Sequence, residues 1–121
     1  MNTGDLESWL RAYGEAWKAR SAEAAARLFS EDALYFETPY AEPFRGRDGI
    51  GSYWSKVTAD QRDVDFAADA LGFAGTTGVA RWSARFTLAS NGAAVELNGV
   101  FLLEFAEDGL CSRLREWWHA R

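Results

Sequence analysis

Apolar residues recur every three or four positions in the first twenty residues, which is the period of an amphipathic helix. A side-chain cap at Thr3 or Asp5 and an end near Arg20 bound this first helix. Ser21 is placed to cap a second, shorter helix, whose apolar stripe ends at Phe29. The pattern therefore predicts an antiparallel pair of helices. The stripe of the first helix comprises Leu6, Trp9, Leu10, Tyr13, Ala16 and Trp17.

The spacing of apolar residues changes twice in the stretch that follows the second helix. Alternation at 34–38 predicts a strand with Leu34, Phe36 and Thr38 on its buried face, because successive side chains of a strand point to opposite faces. Pro39 ends this strand, since proline cannot donate to a hydrogen-bond ladder. After an irregular loop the helical period returns from Arg47 onward, and a third helix is predicted there. Its apolar stripe is Ile50, Tyr53, Trp54 and Val57.

Four strands are predicted in the rest of the chain. The first, at 63–73, alternates acidic and apolar residues, and its parity changes near Gly72, which indicates a bulge or a bend. Asn91-Gly92 and Asp108-Gly109 are hairpin-turn sequences, so strands at 79–90, 93–107 and 110–119 form a meander. The predicted fold class is α+β, with three helices packed against a mainly antiparallel sheet.

Two-residue turns at both hairpins set a register for this meander. Phe101 then lies beside Trp82 on one neighbouring strand and beside Glu116 on the other. Glu116 is the one carboxylate on the apolar face of these three strands between Trp82 and Trp118. Because burial disfavours the charged form of a carboxylate, we expect Glu116 to titrate at unusually high pH.

Composition narrows the choice of partners. The chain has 121 residues, which suits one domain (residues 1–121), and its formal net charge of −5 comes without any basic cluster. This charge pattern argues against a nucleic acid or an anionic membrane surface as a partner. The chain has only one histidine and one cysteine, which argues against a metal site and excludes an internal disulfide. It has no nucleotide-binding fingerprint, so no cofactor is predicted. With no signal peptide or membrane-spanning run, the expected location is the cytoplasm.

The order of elements, together with Phe36-Glu-Thr-Pro39 and Gly46-Arg-Asp-Gly-Ile50, resembles the NTF2-like superfamily, also described as the cystatin-like fold. The resemblance spans the whole chain and is closest to the SnoaL-like and ketosteroid-isomerase-like members. It implies a strongly curved sheet that wraps the helices into a cone with a deep apolar cavity. Since functions within this group are diverse, the resemblance supports the fold better than any activity.

Compared with the isomerases of that superfamily, the chain keeps one of three catalytic signals. Tyr13 occupies the place of the tyrosine that polarises the substrate carbonyl. The positions of their two aspartates carry Thr38 and Phe101, which can serve neither as a base nor as an acidic donor. Steroid-type double-bond isomerisation is therefore disfavoured. The Asp, Arg, Asp constellation of the superfamily's epoxide hydrolases is not found either.

These observations leave two functional hypotheses open. In the first, an enzyme binds a small, mainly apolar molecule with a carbonyl or hydroxyl group, and Glu116 and Tyr13 are its catalytic residues for proton transfer. In the second, the same cavity belongs to a non-catalytic binding or accessory domain, and the two residues only satisfy each other. The predicted ligand-binding residues, which ordinary core packing would also explain, are Trp17, Phe36, Thr38, Trp54, Trp82, Phe86, Phe101 and Trp118.

The residues on the opposite face of the meander predict an interface with another protein chain. Val100, Leu102 and Trp117 form an apolar patch on it, and a monomer tends to avoid exposing such a patch. Charged residues at its rim suit a partly polar, self-complementary interface, so we expect a homodimer. The charged residues are Arg81, Arg85, Glu96, Glu104, Arg113 and Arg115.

Overall fold

The computed structural model describes residues 1–121 as three helices and six strands. None of the helices has the length and hydrophobicity that a membrane-spanning helix needs. The elements are α1 (Thr3–Lys18), α2 (Ala22–Ala26), β1 (Phe29–Phe36), β2 (Phe44–Arg45), α3 (Gly46–Thr58), β3 (Gln61–Ala74), β4 (Thr77–Leu88), β5 (Ala94–Phe105) and β6 (Cys111–Ala120).

All six strands form one curved sheet in the order β2-β1-β6-β5-β4-β3. Only the β1–β6 pair is parallel, and every other neighbouring pair is antiparallel. Helix α1 packs mainly on β3 and helix α3 mainly on β1, so both cover the same face of the sheet. We call this helix-covered face the inner face and the opposite one the outer face. The predicted α+β architecture is confirmed.

The helix caps show which local signals determine the boundaries. Ser21 caps α2 as predicted, because its hydroxyl accepts a hydrogen bond from the backbone N–H of Ala24. The cap predicted for α1 was wrong. Asn2 caps that helix instead, and its side chain and that of Asp5 form a reciprocal capping box. Phe29, predicted at the end of α2, begins β1.

The predicted parity of β1 was also wrong. Ala33 and Tyr35 face inward and are buried, whereas Phe36 faces outward against the guanidinium of Arg113, 5.3 Å from its ring centre. Leu34 and Phe36 are apolar but only half-buried on the outer face, where Arg113 covers the ring of Phe36. Alternation of hydrophobicity therefore does not mark the inner face here. Thr38 lies beyond the strand and is exposed.

The two hairpins test the predicted register separately. In β5–β6 the register is confirmed, and Phe101 lies opposite Glu116. This agreement depends on two compensating features: a three-residue loop, with Ala106 bonded to Leu110, and a register shift after Glu104. In β4–β5 the register was wrong by two residues, so Trp82 lies opposite Gly99.

The loop between β4 and β5 explains that error. Leu88 accepts a hydrogen bond from Gly92 N–H and donates to Ala93, which makes a four-residue loop rather than a two-residue turn. Ser90 donates from its backbone and its hydroxyl to Asp60, which holds the longer loop against the end of α3. A shift of two residues keeps every side chain on its predicted face. The bulge predicted near Gly72 is confirmed by a register shift between Ala70 and Gly72.

Burial along the inner face falls in one direction. On β6, Leu114 is 0% exposed, Glu116 is 5% exposed and Trp118 is 39% exposed. Leu97 on β5 is also half-buried, and so is Glu37, the first residue beyond β1. We call the fully buried set Leu6, Ala80, Leu103 and Leu114 the closed end, and the half-exposed set Glu37, Tyr53, Leu97 and Trp118 the open end.

Candidate functional site

Three buried polar side chains form a hydrogen-bonded chain between the closed and the open end. The hydroxyl of Tyr35 donates to Oε1 of Glu116 over 2.6 Å. The hydroxyls of Tyr13 and Tyr35 lie 3.2 Å apart, and since Tyr35 uses its proton on Glu116, Tyr13 is the donor of this second bond. The predicted residues Tyr13 and Glu116 are thus brought together, but through Tyr35 rather than directly.

Each member of the chain comes from a different element of the fold. Helix α1 presents Tyr13 toward the sheet, where five aromatic rings surround it at centroid distances of 5.3–6.2 Å. Strand β1 supplies Tyr35, and the neighbouring β6 supplies Glu116 opposite Phe101. Aromatic packing therefore holds the hydroxyls in place and excludes water from them. The five rings are Trp9, Trp17, Trp54, Phe66 and Phe101.

The two oxygens of Glu116 differ in their surroundings. Oε1 accepts the bond from Tyr35, whereas Oε2 has no hydrogen-bond partner in the protein. Oε2 is not fully enclosed, so it accounts for part of the small exposed surface of Glu116. One carboxyl oxygen is thus held by the protein and the other reaches accessible space at the border of the open end.

The electrostatic surroundings keep Glu116 protonated near neutral pH. Burial raises its pKa from 4.5 to about 8, the bond from Tyr35 opposes this, and the nearby charge of Glu37 adds to it. Burial, followed by the charge of Glu116, also raises the pKa of Tyr13 and of Tyr35 well above the usual value of 10.0. The site therefore contains a neutral acid and two neutral hydroxyls, all able to donate hydrogen bonds.

A second carboxylate lies at the same site. The hydroxyl of Tyr53 donates to Oε2 of Glu37 over 2.6 Å, and the ring of Tyr53 lies 5.2 Å from that of Tyr35. The predicted parity of β1 put Tyr35 and Glu37 on its solvent side, so neither was predicted to belong to the site. The polar groups of Tyr35 and Glu37 could have indicated that these residues belong to a site. A buried tyrosine and a nearby acid can form hydrogen bonds with each other, whereas Leu34 and Phe36 cannot.

The structure places the predicted ligand-binding residues in three different environments. Phe36 on the outer face and the exposed Thr38 cannot line the interior, so those two predictions were wrong about placement. Trp118 faces inward at the open end and is partly exposed. The remaining five are buried on the inner side, with ring contacts such as Trp82 stacked on Phe101 at 5.1 Å. These five are Trp17, Trp54, Trp82, Phe86 and Phe101.

Aromatic rings fill the space where the resemblance implied a deep cavity. Trp17 contacts both Trp54 and Trp82, at centroid distances of 5.1 and 6.0 Å. A surface concavity of about 830 Å³ lies near the start of α1 and the β5–β6 turn and includes neither Tyr35 nor Glu116. Within the packed interior, the indole N–H groups of Trp54 and Trp82 are buried without any acceptor. No group of three or more potential metal ligands converges anywhere in the chain.

Solved structures with the same fold differ widely in what their names describe. A putative isomerase from Bacillus subtilis has a TM-score of 0.84 and 20% identity, covering 98% of this chain and 90% of its own. An epoxide hydrolase/cyclase-like enzyme with a role in pyran ring formation in polyether salinomycin has a TM-score of 0.77 and 19% identity, covering 93% and 89%. A computationally designed 17-OHP binder has a TM-score of 0.78 and 18% identity, covering 95% and 96%.

At these identities the structural comparisons show the fold alone. No curated protein matches the sequence. The sequence profile of the SnoaL-like domain matches residues 10–114, which is most of the chain. The predicted resemblance is therefore confirmed, and this chain belongs to the SnoaL-like family.

Proposed function

We propose that the protein binds a small, mainly apolar molecule with a carbonyl or hydroxyl group, and that Glu116 transfers a proton to that oxygen. The observation that carries this proposal is the position of Glu116. One of its oxygens is held by Tyr35, the other has no protein partner, and its pKa of about 8 keeps the acid protonated at neutral pH. A carboxylic acid in this state can donate a proton near pH 7.

The tyrosines have different roles in this proposal. Tyr35 holds Glu116 in place, and Tyr13 holds Tyr35, so both are positioning residues rather than direct donors to the ligand. Proton transfer from Glu116 leaves a carboxylate, which the Tyr35 hydroxyl stabilises through a charge-assisted hydrogen bond. The chain of hydroxyls therefore favours the product of the transfer without itself losing a proton.

The unpartnered indoles support a ligand that carries oxygen atoms. Trp54 and Trp82 each bury an N–H group without an acceptor, and such groups are rare in folded proteins. A carbonyl, hydroxyl or ether oxygen would satisfy them. Trp17, Phe86 and Phe101 would supply apolar contacts, and entry would require the side chains of the open end, Trp118 among them, to move aside.

A non-catalytic binding domain is the second candidate, and one observation favours it. Tyr13, Tyr35 and one oxygen of Glu116 satisfy one another within a packed interior, as a purely structural network would. The designed 17-OHP binder shares this fold and is named for binding alone. Ligand binding without turnover would establish this second function.

The test uses 2-tetralone, a small apolar ketone whose α-protons exchange with solvent through the enol. Quenching of tryptophan fluorescence measures binding, and loss of the α-proton NMR signals in D₂O measures turnover. We expect Glu116→Gln to bind the ketone like the unaltered protein and to lose most of the accelerated exchange, about 10²-fold or more. Glu107→Gln, which alters an exposed turn residue, is the matched control.

The two candidates then give different results. Equal binding and equal exchange in Glu116→Gln and the unaltered protein would reject Glu116 as the acid and favour the binding domain. Absence of binding would count against both for this ligand class. Mass spectrometry of molecules that copurify with the protein would extend the test to ligands of other shapes.

The partner that we propose is a second copy of the chain, bound through the outer face. Trp117 is 44% exposed, Val100 is 37% exposed, and the two lie opposite each other on neighbouring strands. Beside them, Nε of Arg115 is enclosed without a hydrogen-bond partner. An apolar patch with charged neighbours is typical of a self-complementary interface. The cytoplasmic location stays a prediction.

Sedimentation at micromolar concentration tests this proposal. We expect a dimer that Trp117→Arg converts to a monomer, because the change replaces an apolar contact with a charge on the face that already carries Arg81 and Arg115. Thr87→Arg, on the same sheet away from Val100 and Trp117, is the control for charge alone. A monomer in the unaltered protein would reject the dimer.

A further inference from the structure

Proton transfer to a carbonyl oxygen is only half of an enolisation. A C–H proton must leave the neighbouring carbon, and the proposed function names no group that receives it. The position that the resemblance assigns to a base carries Thr38, which is exposed and cannot act as a base near neutral pH. The inner-face parity of β1 points to a different residue.

The register of the parallel pair leads to Glu37. Tyr35 lies opposite Leu114 and Phe36 lies opposite Arg115, where β1 ends. Glu37 is the first residue beyond β1 and Glu116 is the residue of β6 that follows Arg115, and the charge of Glu37 acts on Glu116. In a parallel pair, neighbouring residues in register point to the same face, and Leu114 and Glu116 both face inward. The carboxyl group of Glu37 lies on this inner side too, because it accepts a hydrogen bond from Tyr53 of α3.

The hydrogen bonds agree with this placement. Tyr53, on the inner side of α3, donates to one oxygen of Glu37 over 2.6 Å, just as Tyr35 donates to Glu116. The rings of the two tyrosines lie 5.2 Å apart. Each carboxyl group is thus held by one tyrosine through one oxygen, and the two tyrosines pack against each other at the border of the open end.

We infer that Glu37 and Glu116 form an acid–base pair, in which Glu37 removes a proton from carbon while Glu116 donates one to the ligand oxygen. This inference rests on the proposed function and names its substrate class, a carbonyl compound with an acidic C–H group beside the carbonyl. Glu37 is half-buried, whereas Glu116 is enclosed. Different burial of two neighbouring carboxyl groups separates their protonation states.

The step balances with these two residues alone. The C–H proton moves to the Glu37 carboxylate, the electron pair of that bond forms a carbon–carbon double bond, and the carbonyl π electrons take the proton of Glu116. The products are an enol, a neutral Glu37 and an ionised Glu116. Return of a solvent-exchanged proton from Glu37 to the same carbon, with the enol proton passing back to Glu116, restores the ketone and both carboxyl groups, and the net result is exchange of the C–H proton with solvent.

Groups from every packed element surround the pair. Tyr13 faces it from α1, Tyr53 from α3 and Tyr35 from β1, while β5 contributes only the apolar Phe101. No lysine or arginine among these neighbours neutralises the two carboxyl groups. The charge of Glu37 therefore acts on Glu116 with little compensation and is one cause of its raised pKa.

The experiment uses 5-nitrobenzisoxazole, which a base opens in one step to a coloured nitrophenolate. Removal of its C–H proton breaks the N–O bond, and the released phenolate is stable as an anion, so the reaction requires a base and little help from an acid. We expect Glu37→Gln to lower the accelerated rate about 10²-fold or more, while Glu116→Gln changes it less than about tenfold. Glu42→Gln, an exposed carboxylate of the following loop, is the matched control and should leave the rate unchanged.

Three further results make the outcome decisive. Acetate added to Glu37→Ala should restore part of the rate, which a purely structural residue would not allow, and the Glu116 carboxyl should titrate at lower pH in Glu37→Gln by NMR. An unaltered rate in Glu37→Gln would overturn the inference and leave Glu116 and the proposed function in place. Failure of the unaltered protein to bind the probe, measured by tryptophan fluorescence, would instead count against the proposed ligand site.

Discussion

The closed end and the open end of the inner face are built from the same strands but carry different chemistry. At the closed end, Leu103 and Leu114 are fully buried and wholly apolar. Two residues farther along β6, Glu116 is still enclosed but polar, and Trp118 is partly exposed. The change from core to surface therefore takes only four residues of one strand.

This comparison explains why an acid can persist inside the fold. A carboxyl group at the closed end would have no hydroxyl partner and no accessible space, so its burial would cost several kcal/mol without any use. Glu116 lies where Tyr35 satisfies one oxygen and the open end remains within reach of the other. The border between the two ends is thus the place where a neutral acid is tolerated and can also meet a ligand.

The largest expected effect concerns the pH dependence of folding. Between pH 4.5 and about 8 the folded protein keeps the proton of Glu116, whereas the unfolded chain has lost it. The free energy of unfolding therefore falls as pH rises through this window, by up to about 5 kcal/mol from this group. Glu116→Gln removes that contribution, since the amide mimics the neutral acid and does not titrate.

Urea denaturation from pH 4.5 to pH 9 measures this prediction. The variant and the unaltered protein should be similar in stability at pH 4.5, and the variant should be more stable by several kcal/mol at pH 9. Glu107→Gln should follow the unaltered protein at every pH, because Glu107 is exposed. If the stability of Glu116→Gln and of the unaltered protein changed with pH in the same way, Glu116 would be solvated. The border between the closed and the open end would then lie elsewhere.

The second prediction compares truncations at the two ends of β6. Leu114→Ala should lower the free energy of unfolding by about 2–5 kcal/mol, because it leaves a cavity in a fully enclosed position. Trp118→Ala should cost less, about 1–2 kcal/mol, since 39% of that residue is already exposed. Thermal and urea unfolding of both variants measure the difference.

Ligand binding sharpens the same comparison. Trp118→Ala should alter the affinity for 2-tetralone, because Trp118 belongs to the open end. Leu114→Ala, tested below its unfolding temperature, should bind the ketone as the unaltered protein does. Equal loss of stability in the two variants would remove the distinction between the ends.

Sequence patterns predicted the fold better than the site, and β6 and β1 show why. The Asp108-Gly109 hairpin signal and strict alternation predicted that Glu116 lies inward opposite Phe101, and the structure confirms it. On β1 the same reasoning failed, because Leu34 and Phe36 are apolar although they face outward. Local alternation cannot reveal that neighbouring strands cover part of an outer face.

The reversed parity of β1 also explains why two residues of the site were not predicted. With the parity of β1 reversed, Tyr35 and Glu37 were placed in solvent, and Tyr13 was paired directly with Glu116. The length of the loop after β4 was a second limit, because the bonds from Ser90 to Asp60 that hold it join residues thirty positions apart. Contacts of that range have no signature in a short sequence pattern.

The last and smallest expected effect tests the hydrogen-bonded chain link by link. Tyr35→Phe removes the donor to Glu116 and the acceptor for Tyr13, so it should cost about 1–3 kcal/mol. Tyr13→Phe removes only a terminal donor and should cost about 0.5–1.5 kcal/mol. Tyr40→Phe, on a side chain that is almost fully exposed, should change nothing.

The pH dependence separates this chain from ordinary packing. The bond from Tyr35 lowers the pKa of Glu116, so Tyr35→Phe should raise that pKa further and extend the fall in stability to higher pH. Tyr13→Phe should leave the midpoint of the Glu116 titration much closer to that of the unaltered protein, because Tyr13 does not touch the carboxyl group. If both variants lost stability equally and neither moved the midpoint, the hydroxyls would be packing groups only. The acid at the border would then depend on burial alone, without the chain that links it to the closed end.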